Sequence, residues 1–187
     1  MLDIMATSQG PAGVRPLAPS GLTFASIEAA AWQLASSHCD TGDLPIDLEA
    51  ILSGTGGRIE IYVDPIRMTT APEIEVAGPA DYLVHVPHYQ ARPRRRFLIA
   101  AGIGRYILHS GFHTMLVPDA GPSGDPEARM HWEACAFASA LLLPRPTLEA
   151  YTQKAEDTVH AVAHAFDVTE QLVVYRLHAL QTVAPNT

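Results

Sequence analysis

Apolar positions along the chain recur at two spacings. From Thr23 onward, Phe24, Ile27, Ala31 and Leu34 fall three or four residues apart, which is the spacing of one face of a helix. That helix should end near "SSHCDTGD". The stretch "LPIDLEAILSGTGGRIEIYVD" predicts a short helix from about Asp47, stopped by the glycines, and then a strand around Ile59 to Val63. Two more extended pieces are expected near Glu73 to Val76 and Tyr82 to Val86, and together they make a small sheet. Everything after Arg94 reads helical. Phe97 to His109 is long and largely apolar, the mark of a buried helix. "GFHTMLVPDAGPSGDP" is a loop broken by Gly and Pro. The next helix spans Pro126 to Leu142, with Asp125 as its N-cap and Pro126 at its first position. "PRP" at 144–146 breaks it, and three shorter helices follow near 147–153, 156–165 and 169–181. The chain has no internal repeat.

Composition narrows the class. The 187 residues are 48% hydrophobic and 17% charged, a globular balance with enough apolar material for a core. No apolar run reaches the roughly 20 residues that span a bilayer. The opening "MLDIMATSQGPAGVRPLAPSG" lacks the basic start and apolar block of a secretion signal, and its Pro, Gly, Ser and Ala content predicts a flexible tail over residues 1–20. Two cysteines, Cys39 and Cys135, are too few for a disulfide framework, so a reducing cytoplasm is expected. The net charge of −8 argues against a general polyanion binder. The local exception is Arg92, Arg94, Arg95 and Arg96. Such a run can touch phosphate or an acidic partner, but a solvated helix start or structural ion pairs is the preferred reading.

The candidate chemistry lies in "RRRFLIAAGIGRYILHS", residues 94–110. Its rhythm is that of a helix carrying HExxH, in which two histidines four apart bind one zinc ion and the glutamate between them acts as general base. With "EACAFASALLLP" after it, the stretch resembles the ImmA/IrrE family of zinc endopeptidases. Arg96, Phe97, Ala100, Gly104, Tyr106, Leu108 and His109 match the family's first motif. Glu133, Ala134, Phe137, Ala138, Leu141, Leu142 and Pro144 match its second, which supplies a third ligand. "LPIDLEAILSGTGGRIEI" and "HAVAHAFDVTEQLVVYRLHAL" are similar to the segments at either end, so the likeness runs in order over roughly residues 24 to 181.

The resemblance implies an α+β fold: a zincin-like domain over residues 21–146, with a small three-stranded sheet packed on helices. A C-terminal helical unit of helix-turn-helix cadence follows over 147–187. The departures fall on the chemistry. Ala101 stands at the first histidine position, Gly102 at the general-base position and Arg105 at the second histidine position. Of the implied ligand set only Glu133 remains. Ala and Gly offer no ligand atom, and a guanidinium stays protonated. The expectation is a pseudoenzyme with no metal and no other cofactor. A buried carboxylate needs a cation, so Arg105 is expected to pair with Glu133. Gly102 in mid-helix costs about 1 kcal/mol against Ala, which suggests either close packing there or drift at a site without catalytic demand.

Other residues invite alternatives. His109 matches a family histidine that is not a ligand, and hydrogen bonding at a helix end is its expected role. His160 and His164 lie four apart on an expected helix, without an evident third ligand. His109 and His113 are separated by Gly111, which should end the helix. His131 should turn away from Glu133, and His85 and His88 should sit at a strand end. Cys135 reads as a buried structural cysteine. The C-terminal helix pair has the cadence of a DNA-binding unit, but its second helix carries only Arg176 as a cation. Leu172, Val173, Leu177 and Leu180 are expected to pack it on the domain instead.

Active members of the resembled family cleave helix-turn-helix repressors of mobile elements or stress responses. The leading expectation is therefore a protein-binding regulator of such a repressor, without direct nucleic-acid or membrane contact. Arg92, Arg94, Arg95, Tyr106 and His109 are its candidate partner-binding residues. The alternatives are a peptidase with a metal site rebuilt from Glu133, His109 and His131 or His113, and a direct DNA binder using the C-terminal helices and the arginine run.

Overall fold

Thr23 opens the first helix by accepting the Ser26 amide on its hydroxyl at 3.2 Å. Helix α1, Phe24–His38, then buries Ile27, Ala31 and Ala35 on one face. Asp47 caps α2, Leu48–Thr55, by accepting the amides of Glu49 and Ala50. Three strands follow: β1, Gly57–Tyr62, β2, Glu73–Gly78, and β3, Asp81–Pro87. They form one sheet in the order β1-β3-β2, with β1 parallel and β2 antiparallel to β3. Val84 is central: it lies opposite Ile59 on one side and Ile74 on the other, and it is fully buried. The computed structural model describes residues 17–40, 42–63, 73–112, 125–153 and 159–183.

The remaining helices are α3, Arg92–His109, α4, Pro126–Leu142, α5, Arg145–Thr152, α6, Val159–Phe166, and α7, Glu170–Val183. Helix α3 packs between the sheet and α4. Both flanks are therefore covered, and every residue from Leu98 to His109 except Ile99 is buried. That is why its sequence is apolar all round rather than striped. Asp125 caps α4 by accepting the Glu127 amide at 3.1 Å.

The mixed α+β architecture agrees with the expectation, as do the three strands. Two helix starts fall earlier than expected. Helix α3 begins at Arg92, because Pro93 is preset for a first turn. Helix α5 begins at Arg145: Pro144 stops α4, but Pro146 belongs to the first turn of the next helix instead of breaking it. Of the helix expected over 156–165, residues 156–158 lie outside the described residues, as do residues 1–16 of the expected tail and the loop segment 113–124. Residues 17–20 are corrected. They are tied by hydrogen bonds to α3 and α4, through Ala18 to the His109 carbonyl and through Ser20 to Glu133.

The C-terminal helices pack on the rest. Leu172 and Val173 are buried as expected, with Leu177 and Leu180 half-buried against the core. Arg176, the cation weighed for DNA, is fully buried. It donates from Nε to the Leu143 carbonyl at 3.0 Å and from a terminal nitrogen to Glu28 on α1. Burial pulls its guanidinium below the usual value and Glu28 opposes this. At the α6–α7 turn, Asp167 forms ion pairs with Arg92 at 2.7 Å and Arg96 at 3.6 Å. Part of the arginine run therefore fastens α3 to the C-terminal helices.

Candidate functional site

Helical spacing puts Ala101, Arg105 and His109 of α3 on one face, each four residues after the last. Glu133 on α4 stands beside that face, and its side chain has no solvent exposure. Four donors meet its two oxygens. His109 Nε2 lies 2.8 Å from Oε2, and the Ser20 amide donates to the same oxygen at 2.9 Å. Arg129 Nε donates to Oε1 at 2.7 Å, and the Gly21 amide donates to it at 2.9 Å. A carboxylate only accepts, so the imidazole must hold a proton on Nε2.

The expected pair of Arg105 with Glu133 is therefore corrected. Arg105 bonds Glu127 in the first turn of α4, and Glu133 pairs with Arg129 and takes a hydrogen bond from His109. Both oxygens of Glu133 are already filled from the protein side. Arg129 is the residue that charge reasoning missed. Its signal was present, since a cation four residues along a helix from a carboxylate is within reach. The amides of Ser20 and Gly21 have no side-chain signature.

Burial by itself pushes the Glu133 carboxyl up. The bonds from His109, Arg129 and Ser20 outweigh it and hold the pKa down at about 2. An unfolded glutamate titrates near 4.3, so this carboxylate adds stability above that pH. The contribution is lost as pH falls from about 4.3 through the folded value, and is worth on the order of 3 kcal/mol. Unfolding free energies measured from pH 5 down to pH 2 should decline through that window, and the slope should flatten in Glu133→Gln. An equal slope in both proteins would show that other groups carry the acid sensitivity.

The general-base position is sealed. A Cβ built on Gly102 would lie 2.6 and 2.9 Å from the two methyls of Val84 and 3.3 Å from a methyl of Ile74. These are β-branched side chains fixed in the sheet, which have little freedom to yield. Close packing, one of the two readings offered by the sequence, is what this glycine serves. Ala101 is also fully buried.

The residues present do not fit a zinc ion. Two of the three HExxH positions have no ligand atom, the third is a cation, and the lone pairs of Glu133 are already engaged. Among the described residues no three His, Cys, Asp or Glu side chains stand together as a metal site. Of the material considered for a rebuilt site, His131 is exposed and lies 3.6 Å from Cys135 Sγ. His113 lies outside the described residues. His160 bonds Glu170 at 2.9 Å on the surface. The Cys135 thiol is half-buried rather than buried, and desolvation pushes its pKa up. His85 is held between Glu60 and Glu75 on the neighbouring strands.

Two candidate partner-binding residues are corrected as well. Tyr106 is 2% exposed, stacked on Tyr82 with ring centroids 3.9 Å apart, and its hydroxyl accepts the Ala80 amide. His109 is equally enclosed. Both lie where α3 is covered on two sides, so neither side chain faces solvent. Arg92 is exposed but paired, Arg94 lies over the Phe97 ring, and Arg95 lines a surface groove with Ile59, Ile61 and Ile99.

A family model for the IrrE N-terminal-like domain matches residues 67–178. The chain belongs to that family. The IrrE-like match runs from just before β2 into α7, so it includes the whole altered motif and Glu133. A Mycobacterium tuberculosis transcriptional regulator has a similar fold, with a TM-score of 0.53 and 18% identity over 84% of this chain and 48% of its own. At that identity the likeness is one of fold, and this chain spans about half the length of that regulator. No curated protein matches the chain.

Proposed function

We propose that this IrrE-like chain is a regulator that binds another protein and does not cut it. The observation that carries the reading is the condition of Glu133. In a zinc peptidase of this family that carboxylate would be a ligand, whereas here four protein donors consume it. Gly102 packs too tightly on Val84 for a general base to stand in its place. Peptide hydrolysis then lacks its metal ligands and a place for its base, while a docking surface needs neither.

The partner proposed is a helix-turn-helix repressor of a mobile element or stress response, met in the cytoplasm. Support comes from the family, from the fold shared with a protein named as a transcriptional regulator, and from charge. A net charge of −8 complements a basic DNA-binding domain and speeds encounter with it. Direct DNA contact through α7 is disfavoured, because its one cation, Arg176, is enclosed against Glu28. No helix among the described residues is long and apolar enough to cross a membrane.

The test uses the purified full chain with a helix-turn-helix repressor encoded beside it, in the presence of zinc. The two should co-elute on size exclusion, and the repressor should stay intact over hours. Repressor fragments that disappear with a chelator or with Glu133→Ala would overturn the reading, and so would the absence of any complex.

A further inference from the structure

Residues 18–22 do something that no apolar pattern or motif announces. They cross the end of α3 and the face of α4 as a strap held almost wholly by main-chain groups. The Ala18 amide donates to the His109 carbonyl at 3.2 Å. The Ser20 and Gly21 amides donate at 2.9 Å to the two oxygens of Glu133, one each. The Leu22 carbonyl accepts Arg129 at 2.6 Å, so Arg129 clamps strap and carboxylate together. The Leu22 side chain is 3% exposed and belongs to the core, while Ala18 and Pro19 face solvent.

Two features set this contact apart from ordinary loop packing. The recognition element is a buried anion kept ionised by Arg129 and His109, and a buried anion must have donors. What it reads in the strap is mainly main chain: two successive N–H groups, supported by the Ser20 side chain and followed by one apolar side chain that enters the core. Any extended segment with that pattern offers the same donors. Gly21 sets the geometry, at φ +70°, in the left-handed region that other residues rarely enter. A segment held mainly by backbone contacts can be exchanged for another of like shape.

We infer that the groove at Glu133 is a peptide-binding site closed by the chain's own residues 18–22, and that a partner opens it by replacing this strap. The occupant it fits is an extended, glycine-containing segment that presents two consecutive amides and then a leucine-sized residue. This deepens the reading of a protein-binding regulator and rests on it for the identity of the competing segment.

The experiment titrates a fluorescein-labelled peptide of residues 17–23, Leu-Ala-Pro-Ser-Gly-Leu-Thr, into full-length protein. Gly21→Pro removes one donor and cannot adopt φ +70°, so it frees the groove. The peptide should bind this variant at least tenfold more tightly than wild type, and adding Glu133→Gln should remove the gain. Gly21→Ala keeps the amide but strains the backbone at φ +70°. It is the milder variant should the first not fold, and a three- to tenfold gain is expected. A folded variant that binds the peptide no better than wild type overturns the strap. Capture of the repressor equally by wild type and Gly21→Pro overturns it too, while leaving the regulator reading intact. A repressor that binds neither protein overturns the regulator reading, and the peptide titration still decides the strap by itself.

Discussion

Glu133→Ala should cost about 3–5 kcal/mol of folding stability, the loss expected when one member of a buried charge cluster is removed. For a chain of this length that lowers the thermal midpoint by about 10 °C. The loss has little to do with the contact area of one side chain. Removing the carboxylate leaves Arg129 Nε, the His109 Nε2 proton and the amides of Ser20 and Gly21 facing a void with nothing to accept them. Each donor was desolvated for that carboxylate, and each remains desolvated without it. Glu133→Gln should recover part of the difference, since an amide oxygen still accepts but its NH₂ group opposes the other donors. Calorimetry at pH 7 checks the order wild type, Gln, Ala. If Ala proved within 1 kcal/mol of wild type, the cluster would not be holding the strap and two helices together.

What the sequence made legible here, and what it did not, divides along a physical line. Features that act through local rules were readable. Asp125 and Pro126 marked the start of α4, Asp47 marked that of α2, and the spacing of Phe24, Ile27 and Ala31 marked α1. The glycine at 102 stood out because mid-helix glycine is costly, and its reason turned out to be Val84 from a strand about 18 residues earlier. Features that depend on which way a side chain reaches were not readable. Charge balance required a cation for Glu133, and Arg105 was the one the altered motif offered. Only the crossing of α3 and α4 sends Arg105 to Glu127 and brings His109 to Glu133, while Arg129 reaches Glu133 from one turn earlier on α4 itself. The strap was least legible of all, because its contacts are made by backbone groups that every non-proline residue has. A segment rich in Pro, Gly and Ser reads as a tail, yet the freedom of Gly21 is what lets it turn two amides onto one carboxylate.

Rebuilding HExxH in this chain should fail, and the failure should be structural before it is catalytic. In Ala101→His/Gly102→Glu/Arg105→His, the Gly102→Glu change dominates. Its Cβ alone falls 2.6 Å from a Val84 methyl, at a position with no solvent contact, and the carboxylate beyond it has no partner prepared. Overpacking and an unpaired buried charge act together, so Gly102→Glu by itself should cost at least about 4 kcal/mol, in the range that only such mechanisms reach. The two histidines would then meet a Glu133 that is still bonded to Arg129, His109 and the strap. Zinc would have to break those bonds before gaining its third ligand. Thermal unfolding of the triple variant should therefore begin well below that of wild type, and a hundredfold molar excess of zinc should leave its midpoint unmoved. Ala101→His/Arg105→His, which spares Gly102, separates the two causes: it should be the more stable protein and equally indifferent to zinc. A zinc-dependent rise in the midpoint of either variant, with one metal ion retained per chain after dialysis, would mean that the carboxylate can be released from its present donors. The cleft would then be a peptidase site only three substitutions away from use, and not one remade around its own strap.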